Sequence, residues 1–301
     1  MGPEDSSDDS LAVFEDALFT LFDQPVIAHS APPGAARYTF RHPALGGRQV
    51  ELALPSPPPG LNSLQAQYVW PSSLLLADLL LREGGEIVLR PGETVVELGA
   101  GAGLGGLLAA VCLERAGGGG TVVSTDWGDT AILSALEENY RRNLTSQCSD
   151  PSSVRWSVVG HKWGEDVEPI FTRLHASSSP ASMNRRPRVD HLLLCDLLYY
   201  SAAHADLLKS VLALLQRPDE DSALRPKAHI AAGLHGGTSS AVERFVALAE
   251  TAGCTVVPHG IFTWNARDDL WREVDPTREA LTEGMVWRGT LQAGAIGDAK
   301  S

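Results

Sequence analysis

Val95-Val96-Glu97-Leu98-Gly99-Ala100-Gly101-Ala102-Gly103-Leu104-Gly105-Gly106 decides the fold of this chain. A β-branched run enters a turn without Cβ bulk, and an apolar helical pattern continues from Leu104 to Arg115. Strand, tight turn and helix follow in that order. Such a turn lets backbone approach a ligand closely and aims helix N-terminal amides at it. The next buried strand is Thr121-Val122-Val123-Ser124-Thr125, and Asp126 ends it. Adjacent strand ends lie about 5 Å apart. Asp126 is therefore within reach of two ribose hydroxyls of a nucleoside seated on the turn, outside the carboxyl ends of the strands.

The glycines alone do not choose the cofactor. Gly101, Gly103 and Gly106 also match the dinucleotide spacing G-x-G-x-x-G, so a nicotinamide-dinucleotide enzyme is one rival. A Gly-rich turn that serves only strand–helix packing is the bland reading. Glu97 shifts the balance, because a carboxylate two residues before the first glycine repels a pyrophosphate and welcomes an ammonium or sulfonium.

Outward from this segment, apolar strands alternate with helices. Strands are expected at Val154–Val159, Asp190–Cys195, His229–Ala232, from Thr255–Val257 onward, and at Val286–Leu291. Helices are expected over Ser63–Arg82, from the Asp129 or Thr130 cap to about Asn143, and over Ala203–Leu215 and Ser239–Ala252. The pattern predicts an α/β fold, Rossmann-like and doubly wound, with a mostly parallel seven-stranded sheet and helices on both faces. Ahead of it, Arg37–Phe40 and Val50–Leu54 read as two strands, closed by the Pro-rich break at 55–60. Residues 144–153 and 175–187 read as surface loops. The expected organisation is an acidic, partly disordered extension over 1–33, one domain over 34–295, and a tail over 296–301.

The chain has 301 residues, with 24 Lys+Arg against 37 Asp+Glu, a net charge of −13. Such a balance argues against a general binder of nucleic acid or anionic membrane and suits a cationic cofactor or a basic partner. No apolar run approaches the ~20 residues of a membrane span. An acidic start without a basic n-region predicts no secretory leader. Met1-Gly2 with Ser6 matches the loose myristoylation pattern, but Pro3, Glu4 and Asp5 favour coincidence. Cys112, Cys148, Cys195 and Cys254 form no CxxC pair, so reduced thiols, no zinc site and a cytoplasmic protein are expected.

Further motifs narrow the class. Asp196-Leu197-Leu198-Tyr199 is a D-x-x-Y directly after the fourth strand, Trp163-Gly164 follows the third, and Val69-Trp70-Pro71 opens the helix before the glycine strand. With E-L-G-x-G-x-G and S-T-D, this set resembles the S-adenosylmethionine-dependent protein lysine methyltransferases of the seven-stranded class, the methyltransferase-like-21 group, over roughly residues 36–293. Leu21-Phe22-Asp23-Gln24-Pro25, Ser124 to Asp129 and Ala232 to Gly237 are similar to its fungal branch, which modifies N-terminal residues of translation elongation factor 1-alpha and was formerly named for nicotinamide N-methylation. The resemblance implies S-adenosyl-L-methionine as cofactor and a protein substrate, with elongation factor 1-alpha as the target. It further implies cofactor contacts at Trp70, Gly99, Ala100, Gly101, Asp126, Trp163 and Cys195.

The residues have readings of their own. Trp163 offers an aromatic face to an adenine or, by cation–π attraction, to a sulfonium, and reads equally as a half-buried core ring. Trp127 is placed to stack on an adenine or to pack. Cys195 offers backbone rather than thiolate chemistry, since no His or Lys neighbours it. Asp196 and Tyr199 are the expected catalytic pair, a carboxylate and a phenol that hold an amine and aim its lone pair; a helix cap is the alternative for Asp196. His235, in a Gly-rich turn after the fifth strand, is placed to act as a base or to contact substrate, and reads first as a surface-turn histidine; Asn139 and Asn143 read as structural. The rivals are small-molecule N-methylation and a non-catalytic module that keeps the fold.

Overall fold

The computed structural model describes residues 36–55, 65–117, 119–150, 153–175, 187–216, 225–267, 270–282 and 284–294. The acidic head, the Leu11–Phe22 segment, the tail and most of the 175–187 loop lie outside the described residues.

Two strands, β1 (Arg37–Arg41) and β2 (Gln49–Ala53), pair antiparallel as a small sheet. The main sheet begins with β3 (Thr94–Leu98), β4 (Gly120–Asp126), β5 (Val154–Gly160), β6 (His191–Cys195) and β7 (Lys227–Gly233). It is completed by β8 (Thr255–Asn265), β9 (Leu270–Val274) and β10 (Val286–Gln292), in the order β5-β4-β3-β6-β7-β10-β8-β9. The first five pair in parallel, and β10 enters antiparallel between β7 and β8. The strand order reverses at β3, and a crevice opens there at the carboxyl ends.

Among the described residues, six α-helices cover the sheet: α1 (Pro71–Leu81), α2 (Leu104–Arg115), α3 (Thr130–Gln147), α4 (Glu168–His175), α5 (His204–Leu215) and α6 (Ser240–Thr251). Alternation along each strand splits the core in two. Val95, Val122, Leu193 and Ala231 join α1, α2 and α3 on one face. Val96, Val123, Leu192 and Ile230 join α4, α5 and α6 on the other. This is the sheet covered on both faces that continuous apolar strands require.

All seven expected strands are present, and an eighth joins them. β9 folds back on β8 as an antiparallel hairpin. Its LWREV pattern is short and mixed, as an outer strand with little to bury can be. β8 continues past Pro258 because the register shifts between Arg288 and Gly289, a bulge of the kind that accommodates a residue without an N–H. Helix α1 starts at Pro71 rather than near Ser63. Trp70, ahead of the proline, is extended at φ −81 and ψ 150, since the ring of the next residue disfavours the helical region.

Helix α3 extends one turn beyond expectation, and its polar residues show why. Asn139 Oδ1 accepts from Ala53 N, and its Nδ2 donates to Ala53 O and Ala102 O. Asn143 treats Glu51 in the same way, and Gln147 Nε2 donates to Gln49 O. Three amides at four-residue spacing on the helix thus satisfy alternate residues of β2. The rise of one helical turn, about 6 Å for four residues, nearly matches two residues of strand.

Candidate active site

The glycine turn is tied to the end of β4 atom by atom. Ala100 N donates to Thr125 O at 2.9 Å, Gly101 N to Asp126 Oδ2 at 2.6 Å, and Trp127 N to Asp126 Oδ1 at 2.7 Å. Gly99 and Gly103 sit at φ 59 and 81, backbone that L side chains rarely adopt. A Cβ on Gly103 would run into Leu136, and one on Gly99 would meet Leu197 and Trp163. Trp163 therefore lies directly against the turn. Asp126 is buried, and burial pushes its carboxyl up to about 6 against the pull of the Gly101 and Trp127 amides.

Glu97 lies behind the turn. It is 2% exposed. Ser124 Oγ donates to its Oε2 at 2.8 Å, and the amides of Gly106 and Gly105 donate to it as well. Desolvation raises it to about 7, with a further push from Asp126. Its carboxylate caps the start of α2, where negative charge is favoured. Gly105 and Gly106 leave room for this, because a Cβ on either would overlap the Glu97 carboxylate. The expected counter-charge thus acts from beneath the crevice rather than from its wall.

Around this cradle the structure brings together the other expected residues. The half-buried Cys195 closes β6, and its Sγ would lie 3.6 Å from a Cβ on Gly105. Burial, then the charges of Glu97 and Asp196, hold the thiol well above its ordinary value, so it stays protonated. The face of Trp127 is taken by Lys162, whose Nζ sits 5.4 Å from the ring centroid.

Asp196 follows Cys195 at φ 57. Left-handed backbone at a non-glycine residue is uncommon and marks sites the surroundings hold in place. Asp196 N donates to Ala231 O at 2.8 Å, which ties this kink to β7. Its Oδ1 accepts from Gly233 N at 2.9 Å and pairs with His235 Nε2 at 3.0 Å. Its Oδ2 is buried with no hydrogen-bond partner among the described residues. The His235 ring meets Trp70 edge-on at 5.5 Å between centroids and Tyr199 at 6.0 Å, and Trp70 in turn meets Tyr68 at 5.7 Å. Burial, then the charges of Asp196 and Asp126, push the Tyr199 phenol well above its ordinary value, so it is an O–H donor at neutral pH.

His235 is the correction that matters most. Read as a turn histidine, it is a side chain only 17% exposed, and it contacts both expected catalytic residues. Topology was the available signal: Cys195 pairs with Ala231, so a residue just beyond the end of β7 faces the residue just beyond β6.

A glycine turn after β3 joined to the acid that ends β4, on a mostly parallel sheet whose order reverses at β3, defines a Rossmann-like α/β fold of the methyltransferase class. A family model described as lysine methyltransferase matches residues 60–224, and the chain belongs to that family. Among curated relatives, the protein N-terminal and lysine N-methyltransferase EFM7 of Gibberella zeae is 28% identical over 60% of this chain and 61% of its own length. Its namesake in Emericella nidulans is 27% identical over 83% of this chain and 87% of its own. Among solved structures, precorrin-6y C5,15-methyltransferase from Geobacter metallireducens aligns with a TM-score of 0.41 and 12% identity, over 74% of this chain and 86% of that one. Among the described residues, no helix is long and apolar enough to cross a membrane.

Proposed function

We propose that this chain transfers the methyl group of S-adenosylmethionine to a protein amine, a lysine or an N-terminal amine, with translation elongation factor 1-alpha as the target. The residues present suit that cofactor. Both Asp126 oxygens keep a lone pair beyond the amide bonds they already accept, which suits a ribose diol without a phosphate. Trp70, Gly99, Ala100, Gly101, Asp126, Trp127, Trp163 and Cys195 would line it, and Glu97 would add negative potential from behind. The bound cofactor supplies an activated methyl on a sulfonium.

The chain's part is binding, orientation and handling one proton. An incoming ammonium meets the Asp196 Oδ2 acceptor and the Tyr199 hydroxyl, and gives one proton to that carboxylate, from which it passes to solvent, before it can react. The freed lone pair of nitrogen then forms the new bond to the methyl carbon, as the carbon–sulfur bond breaks and its electron pair stays on sulfur. Alignment does most of the work, because the leaving group is already cationic. The observation that carries this reading is the buried, unpartnered Oδ2 of Asp196 beside the rings of Tyr199, His235 and Trp70. The relatives' names, protein N-terminal and lysine N-methyltransferase, support the substrate class.

Cell extract incubated with the protein and methyl-radiolabelled cofactor tests it. Label is expected in a protein band that mass spectrometry identifies as elongation factor 1-alpha. Label confined to a small metabolite would replace this reading with small-molecule N-methylation, and label in another protein would overturn the target alone.

A further inference from the structure

We propose that His235 is a positioning residue for methyl transfer: it fixes the plane of the Asp196 carboxylate so that Oδ2 is presented to the substrate amine. This rests on the amine-methylation reading above. Asp196 has one oxygen fully employed and one left over. Gly233 N and His235 Nε2 converge on Oδ1 from two directions. Two bonds to one oxygen set the carboxylate plane, and with it the lone-pair directions of the other. A buried carboxylate oxygen without a donor costs free energy until a donor arrives, and the substrate amine is the donor this reading brings.

His235 is itself held in place. Its ring lies between the edges of Trp70 and Tyr199, with interplanar angles of 78° and 68°. Gly236 and Gly237, at φ 65 and 68, form the turn that carries the chain away from it. With a proton on Nε2, His235 donates to Oδ1. Neither Gly233 nor the aromatic rings can replace that donor, so the histidine is worth more to the reaction than to the fold.

The extract-labelling assay, run on the full chain at saturating cofactor, separates the possibilities. His235→Ala is expected to lower the transfer rate by about tenfold or more through misaimed geometry, with cofactor affinity by calorimetry and melting temperature unchanged. His235→Gln, which restores an N–H donor, should recover most of the rate. In an Asp196→Asn background, His235→Ala should cost nothing further, since the two act as one unit. Wild-type rates in His235→Ala overturn the proposal. So does an additive loss in the double variant, or a loss that Gln fails to rescue and that tracks a fall in melting temperature. A wild-type protein that labels nothing overturns the amine-methylation reading and this proposal together, and that result is seen before any variant is compared.

Discussion

The two ends of the central sheet hold similar numbers of buried ionisable groups and treat them oppositely. At the amino ends of the strands, most buried side chains pair with one another, although His229 Nδ1 is buried without a hydrogen-bond partner among the described residues. His191 Nε2 pairs with Glu93 Oε2 at 3.0 Å and its Nδ1 with His229 Nε2 at 3.0 Å. Asp190 accepts from Thr94 N and pairs with Arg188, and the buried Arg288 pairs with Glu86. At the carboxyl ends, Glu97 and Asp126 bind amides and a hydroxyl, Asp196 binds an amide and a histidine, and among the described residues none has an Arg or Lys ion-pair partner. Buried charge with a cationic side chain beside it is finished structure. Buried charge held only by neutral donors keeps its field for something that comes from outside.

That contrast breaks most visibly at Asp196. Asp196→Asn keeps the shape and loses the charge, and transfer should fall by about 10³-fold while calorimetry finds cofactor affinity little changed. Equal losses in both would move Asp196 to the cofactor side of the crevice. Next comes Asp126→Ala, which strips the acceptor from Gly101 N and Trp127 N. That destabilises the turn, and losing ribose hydrogen bonds to a charged carboxylate, about 1.5–3 kcal/mol, should lower cofactor affinity by roughly ten- to a hundredfold. The sign with pH follows from the raised carboxyl of Asp126, near 6 in the free protein. A cationic ligand favours the ionised form, so affinity should weaken as pH drops from 8 toward 5. Calorimetry in two buffers of different ionisation enthalpy should report protons released on binding near pH 6. Affinity independent of pH would remove Asp126 from the site.

Much of this end was readable in the sequence because it is local. The run from Val95 to Gly106 encodes strand, turn and helix within twelve residues, and Asp196 with Tyr199 lies in one short motif. Other features depend on pairing that no window shows. Glu97 was legible as an acid at the turn, but its burial beneath α2 depends on Ser124, 27 residues away, and on two glycines that make room. His235 acquires its role only when β7 pairs with β6. The amides of α3 looked structural, yet what they hold, a strand some 90 residues earlier in the chain, is set by tertiary packing. β9 was missed because an outer strand with one face to bury gives too weak a periodic signal.

Gly106→Ala sharpens the contrast from the fold's side. The new Cβ would collide with Ser124 Oγ, Tyr140 OH and the Glu97 carboxylate, so overpacking should cost about 1–3 kcal/mol and lower the melting temperature. A tolerated Ala would mean that Glu97 can leave its cap.

The last effect lies at the amino ends of the strands, spread over several pH units and small at neutral pH. Desolvation, with the nearby charges of His191, Arg288, Lys227 and His259, depresses His229 to about 3. Unfolded, it takes up a proton near 6.5. Between those values the unfolded chain binds the extra proton, so His229 contributes stability above about pH 6.5 that is lost as pH falls toward 3, with a slope of up to about 1.4 kcal/mol per pH unit. Glu97 and Asp126 oppose it. Their folded carboxyls are raised to about 7 and 6, so their contributions favour the folded state as pH falls through that range. The two ends of the sheet should therefore pull the stability curve in opposite directions between pH 5 and 7. Denaturant unfolding of His229→Gln against wild type isolates one of them: the variant should lose part of the acid-side decline and little at pH 8. An unchanged acid limb would show that protonation at this end is absorbed elsewhere in the His191–Glu93 network, and the end would then be less finished than its hydrogen bonds suggest.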